Sequence, residues 1–195
     1  MKNIYRPVFV LLILSLFITC KQKKNEKAEK GSFIPVTSII KAQLNHIDTS
    51  FYSISKVTYI DSSHSDTTYI KREDIRNLAA DFLAIPDLSK TEYTEENIPG
   101  PLDYQTTITY KPIAPDKGDV QRVDLVIGPD NAAAGNGQIQ SIFIQQSFTN
   151  KDSSVVKKML WQVNRSFQVT ITRQLPGGKE TYSTYKVIWN GDEPE

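Results

Sequence analysis

Cysteine, histidine and glycine are scarce in this chain of 195 residues, which contains one, two and nine of them. A single cysteine cannot form an internal disulfide, so a disulfide-stapled scaffold is excluded. The low glycine content excludes a collagen-like chain. With two histidines, a catalytic triad or a histidine-rich metal site has few residues to draw on.

Strong net charge and long apolar runs are also lacking. The formal net charge is +1, so no global field attracts nucleic acid, and we expect no nucleic-acid partner. The one long uncharged apolar run covers residues 8–19, which excludes a protein with several membrane spans. Hydrophobic residues make up 39% and charged residues 23%, proportions typical of a packed globular chain.

The amino terminus has the organisation of an export signal. Lys2 and Arg6 precede the uncharged run, and the sole cysteine, Cys20, follows it directly. Twelve residues are fewer than the roughly 20 that a bilayer-spanning helix needs. A basic start followed by a short apolar stretch is typical of a secretory signal peptide, which we place at residues 1–19.

The residues that end this run resemble the lipobox of bacterial lipoproteins, in the order Leu16-Phe17-Ile18-Thr19-Cys20. Phe17 and Thr19 stand where a lipobox favours Leu and a small residue. The resemblance implies that Cys20 receives diacylglycerol, that the chain is cut before it, and that the new terminus is acylated. Membrane lipid is then a partner through acylated Cys20. The alternative is an uncleaved signal anchor.

The rest of the chain divides into a tether, one domain and a short tail. Residues 20–31 hold the cysteine that we expect to be lipidated and a Lys/Glu-rich spacer without apolar periodicity. From Ser32 onward there are 16 basic and 20 acidic residues, a net charge of −4. Residues 32–190 are predicted to form a single α+β domain, and residues 191–195 an acidic tail.

Two helices are predicted from apolar residues spaced three and four apart. The first begins at Pro35 and buries Val36, Ile39, Ile40, Leu44 and Ile47. The second covers residues 72–84, buries Ile75, Leu78, Ala79, Phe82 and Leu83, and is ended by Pro86.

Most of the remaining chain has strand character. Strands are predicted at residues 53–60, 66–71, 104–111, 120–127, 138–148, 155–163, 166–175 and 182–189, with a loop at 87–102. Short turns, among them Asn164-Arg165 and Gly177-Gly178, join the later strands. Period-two alternation predicts an antiparallel sheet with one wet face. The predicted fold is therefore α+β: a curved antiparallel β-meander sheet of six to eight strands, with two amphipathic helices packed on one face.

No catalytic, cofactor-binding or metal-binding residue is predicted, and Cys20 is the one predicted site, for lipidation. His46 suits the end of the first helix, and His64 a solvated turn. Asp61, His64 and Asp66 have close spacing, but a turn is a poor preformed metal site. Aromatic residues near the end of the chain could line a groove or fill the core: Trp161, Tyr182, Tyr185 and Trp189.

These features indicate a lipid-anchored cell-envelope protein that binds a partner protein or a ligand without catalysis. It is similar in character to small lipoproteins of Gram-negative bacteria such as the Bacteroidota, which implies an outer-membrane location facing the periplasm or the surface. One alternative is a hydrophobic-ligand carrier similar to the half-barrel lipoprotein carriers of the periplasm. Another is an envelope hydrolase that uses the acidic residues Glu92, Glu95, Glu96 and Asp103.

Overall fold

The computed structural model describes residues 33–90, 92–100, 105–115, 119–128, 138–151 and 153–190. The predicted signal peptide, Cys20, the tether and the tail at 191–195 lie outside the described residues. Within these ranges, none of the helices has the length and apolarity that a membrane span requires.

The described elements are three α-helices, nine strands and short 3-10 turns. The helices are α1 (Val36–Thr49), α2 (Ile75–Leu78) and α3 (Ala80–Leu83), and the 3-10 turns are Arg72–Asp74, Leu88–Lys90 and Pro176–Gly178. The strands are β1 (Ser55–Tyr59), β2 (Ser65–Tyr69), β3 (Tyr93–Pro99), β4 (Thr106–Pro112), β5 (Val120–Ile127), β6 (Ile139–Thr149), β7 (Ser154–Gln162), β8 (Ser166–Gln174) and β9 (Glu180–Ile188).

All nine strands form one antiparallel sheet in the order β2-β1-β9-β8-β7-β6-β5-β4-β3. Strands β3 to β9 lie side by side in chain order, and the β1–β2 hairpin joins the sheet beside β9. The predicted count of six to eight strands is therefore wrong, because β3 lies in the segment predicted as a loop. That strand is a largely exposed edge with Glu95 and Glu96 at its centre, so it lacks the apolar alternation that marks a strand.

The second predicted helix is also corrected, because residues 72–84 form three short pieces instead of one helix. The break lies at Ala79, with φ −90° and ψ 5°. The Tyr185 hydroxyl donates to the Leu78 carbonyl at 2.9 Å, and the Phe82 N–H donates to Ala79 at 3.0 Å. In a regular α-helix the Phe82 N–H would donate to Leu78. A side chain from β9 thus takes the carbonyl that a continuous helix would use.

An aromatic cluster occupies the interface between the sheet and the helices. The rings of Trp161 and Phe167 stack with centroids 5.1 Å apart, and Phe82 meets both edge-on at 5.2 and 5.4 Å. All three side chains are fully buried. Helix α1 adds four buried residues to the same core: Val36, Ile40, Leu44 and Ile47. The helices therefore cover the apolar face of the sheet, which the period-two alternation in β7 and β8 predicts.

Arg72 secures the carboxyl end of α1. Its guanidinium donates to the Ile47 carbonyl, to the Ser50 hydroxyl at 3.0 Å and to the Tyr52 carbonyl at 3.0 Å. The last carbonyls of a helix have no partner within the helix, and a cation there also suits the helix dipole. This one side chain thus links the end of α1 to the segment that carries α2 and α3.

We expect Phe82→Ala to lower the free energy of unfolding by about 3–5 kcal/mol, because it leaves a buried cavity beside the stacked rings of Trp161 and Phe167. Phe51→Ala is the matched control, since Phe51 is fully exposed (104%). Denaturant unfolding measures both variants. Equal losses for the two would contradict the described core.

We expect Arg72→Ala to lower the free energy of unfolding by about 1–3 kcal/mol, because the carbonyls of Ile47 and Tyr52 lose a charged donor. Lys71→Ala removes the neighbouring cation, whose side chain is 80% exposed. This control should change the free energy of unfolding by no more than about 0.5 kcal/mol. Thermal unfolding of the two variants separates the effects. If Lys71→Ala lowered the free energy of unfolding as much as Arg72→Ala does, the hydrogen bonds of Arg72 to the end of α1 would not explain its effect.

Candidate functional site

A cavity of about 580 Å³ lies where the ends of β6 and β7 meet the β7–β8 turn. We call it the amide cleft, because most of its lining side chains are amides or other polar groups. Its lining residues are Gly128, Gln138, Ile139, Gln140, Ser141, Gln162, Val163, Asn164 and Arg165. The elements that form it are internal strands of the sheet and the connections at their ends.

The β7–β8 turn is fixed from two sides. Asn164 has φ 60°, a left-handed conformation that asparagine tolerates better than most residues, and the Arg165 N–H donates to the Gln162 carbonyl at 3.1 Å. The Asn164 N–H donates to the side-chain oxygen of Gln43 in α1 at 2.7 Å. On the other side, the Trp189 N–H donates to the Arg165 carbonyl at 3.1 Å. The turn is therefore held in place by a helix and by the segment after β9.

Two glutamines of the lining are held by neighbouring groups. The Gln162 side-chain oxygen accepts from the Ser166 hydroxyl at 2.7 Å, and that of Gln140 accepts from Gln105 at 3.1 Å. Gly128 faces Gln140 so closely that an added Cβ would lie 2.1 Å from the Gln140 side-chain nitrogen. An alanine at this position would therefore push the Gln140 amide aside.

The described part of the lining has few ionisable side chains. Among its nine residues, Arg165 is the one ionisable group, and none is a carboxylate or a histidine. Ser141 therefore has no base within the lining that would activate its hydroxyl. What these groups offer is hydrogen bonding, since amides donate and accept while the guanidinium donates.

The structure places His64 in a turn. Its Nδ1 lies 2.8 Å from a carboxylate oxygen of Asp61, and both side chains are exposed. Backbone N–H groups of Ser63 and His64 also donate to Asp61, and the first of these bonds is the main cause that lowers the pKa of the Asp61 carboxyl. These contacts stabilise the β1–β2 turn. Asp66 lies apart on β2, where it pairs with Thr58 of β1.

Two of the acidic residues named for a hydrolase, Glu95 and Glu96, are not brought together. Glu95 and Glu96 are successive residues of β3, so their side chains point to opposite faces of the sheet. Glu95 is paired with Tyr110, whereas Glu96 accepts from the Lys111 ammonium at 3.1 Å. Asp103 lies outside the described residues. Glu95 and Glu96 therefore cannot act on one bond from the same side.

The aromatic residues considered for a groove lie elsewhere. Trp161 and Trp189 are buried in the core with ring centroids 5.4 Å apart. Tyr185 packs under the helices, where burial raises its pKa to about 12 and keeps the hydroxyl a donor to Leu78. Tyr182 is 69% exposed on β9.

The packing of the interior tests the hydrophobic-carrier alternative, because a carrier of acyl chains needs an apolar cavity. Between the sheet and the helices, the described side chains pack into a single core cluster with stacked aromatic rings. The amide cleft, in contrast, is lined mainly by polar side chains. The described cavity therefore suits a polar ligand better than an acyl chain.

Compared with protein-family models, curated proteins and solved structures, the chain shows no match to any of the three.

We expect Gly128→Ala to lower the free energy of unfolding by about 0.5–1 kcal/mol, because the new methyl group displaces the exposed Gln140 amide from its hydrogen bond with Gln105. In a Gln140→Ala background the same substitution should cost much less, since the displaced group is absent. A double-mutant cycle by denaturant unfolding measures the coupling. Equal costs in the two backgrounds would contradict the close contact.

Proposed function

We propose that this chain is a lipid-anchored cell-envelope protein whose sheet domain binds a partner or ligand close to the membrane without catalysing a reaction. The proposed location is the outer membrane, with the domain facing the periplasm or the surface. We also infer that the sheet curves around its helical layer. Two register irregularities between β5 and β6 support this inference, because β-bulges bend and twist a sheet.

One observation carries the proposal: the sole cysteine stands at the point where the amino-terminal apolar run ends. Each buried methylene contributes about 0.8 kcal/mol to membrane attachment, and a single acyl chain binds only reversibly. A lipobox-type cysteine carries two or three chains, which is enough for stable anchoring. The Lys/Glu spacer then separates the domain from the bilayer.

The geometry of the domain supports a binding role. The amide cleft gathers hydrogen-bonding side chains around a well-anchored turn, and its described lining residues pair no nucleophile with a base. Hydrogen-bonding groups held in place favour binding, because less side-chain freedom is lost when a ligand arrives.

We expect cells of a Gram-negative host that express the protein to incorporate labelled palmitate into it, because the lipobox implies acylation at Cys20. Cys20→Ser should abolish the label and leave the amino-terminal segment uncleaved, because the lipobox implies that both acylation and cleavage need the cysteine. Gel autoradiography and intact-mass measurement give the two readouts.

Ser15→Ala is the control, since it changes a hydroxyl in the same segment and leaves the thiol intact. Its label should match that of the wild type. Unlabelled wild-type protein, or label that persists in Cys20→Ser, would overturn the anchoring proposal.

A further inference from the structure

We propose that the amide cleft is a saccharide-binding site in which side-chain amides recognise sugar hydroxyls. This inference deepens the binding role proposed above and rests on it. The cleft, at about 580 Å³, lies within the range of roughly 300–1,000 Å³ that is usual for small-molecule sites.

The position of the cleft in the sheet disfavours a peptide ligand bound as an added strand. Its strands, β6 and β7, are internal and pair with neighbours on both sides. Strand addition needs the unpaired backbone groups of an edge, and in this sheet the edges are β2 and β3. A ligand in the cleft must therefore be recognised mainly by side chains.

The chemistry of the nine described lining residues disfavours a cation and a phosphate. Hard cations select carboxylates, and these nine residues include none. Phosphate sites use several cations, a helix amino terminus or a glycine-rich backbone nest, whereas these nine residues supply one arginine and one glycine. The groups that these residues supply in number are side-chain amides, which neither ligand class needs.

Amides are the groups that match sugar hydroxyls. Each amide carries donors on nitrogen and an acceptor on oxygen, and each hydroxyl also donates and accepts, so the two satisfy each other. The lining provides four amides and a hydroxyl: Gln138, Gln140, Gln162, Asn164 and Ser141.

Part of this lining is held in position before any ligand arrives. The Asn164 backbone is tied to Gln43, and the Gln162 oxygen is held by Ser166. Bonds made to groups already in place lose less conformational entropy than bonds made to mobile side chains.

Asn164→Gly provides the sharpest variant. Glycine accepts the positive φ of this position, so the turn is kept while the side-chain amide is removed. Gln174→Ala is the matched control, because Gln174 is an exposed amide at the other end of β8 and is not part of the lining. Denaturant unfolding should show both variants folded.

The experiment is saturation-transfer NMR on the full-length protein in lauryl dimethylamine oxide, a detergent without a sugar head group. The probes are glucose, galactose, mannose, N-acetylglucosamine and glucuronate, with tetra-alanine and inorganic phosphate as the competing ligand classes. At least one sugar should bind. Asn164→Gly should weaken it about tenfold, as the loss of one or two hydrogen bonds predicts, and Gln174→Ala should leave it unchanged.

Three results would overturn the saccharide site: no sugar binds, a bound sugar keeps its affinity in Asn164→Gly, or tetra-alanine or phosphate binds where no sugar does. These results are separable from failure of the proposed anchoring. Palmitate on Cys20 without sugar binding refutes the saccharide site alone, whereas sugar binding by a protein without lipid refutes the anchor alone.

Discussion

The contact between the stacked rings of Trp161 and Phe167 and the edge of Phe82 is the interaction on which the rest of the structure depends. It joins the middle of the sheet to the helical layer, with centroids 5.1 to 5.4 Å apart. Since strand side chains alternate between faces, a slip of one residue in β7 would turn Trp161 away from the helices. The contact therefore fixes the register of β7 and β8, and with it the position of the turn between them.

Much of the fold could be predicted from the sequence, because the core strands follow simple alternation. The strand predicted at residues 120–127 coincides with β5, and the helix predicted from Pro35 coincides with α1. Two features could not be predicted locally. β3 is a polar edge strand without an apolar pattern, and the helix break at Ala79 depends on Tyr185, 107 residues beyond Leu78.

The amide cleft was harder to predict than the fold. Its amides form two sets that are each close in sequence, Gln138 with Gln140 and Gln162 with Asn164. Surface strands often carry amides without function, so neither set predicts a site. Only the pairing of β6 with β7 brings the two sets together. The hydrogen bond from the Asn164 N–H to Gln43 spans 121 residues, so no sequence window contains it. The lipobox resemblance that predicts lipidation of Cys20, in contrast, is local and needs no tertiary structure.

The predicted membrane tether precedes a folded domain with a polar cleft at the ends of its central strands. The proposed anchoring requires that the mature chain begins at a lipid-modified Cys20. Intact-mass and amino-terminal peptide mass spectrometry of protein purified from Gram-negative membranes measures this. We expect Cys20 to be the first residue and to carry diacylglycerol. A chain that still begins at Met1, or one whose Cys20 is unmodified, would contradict it.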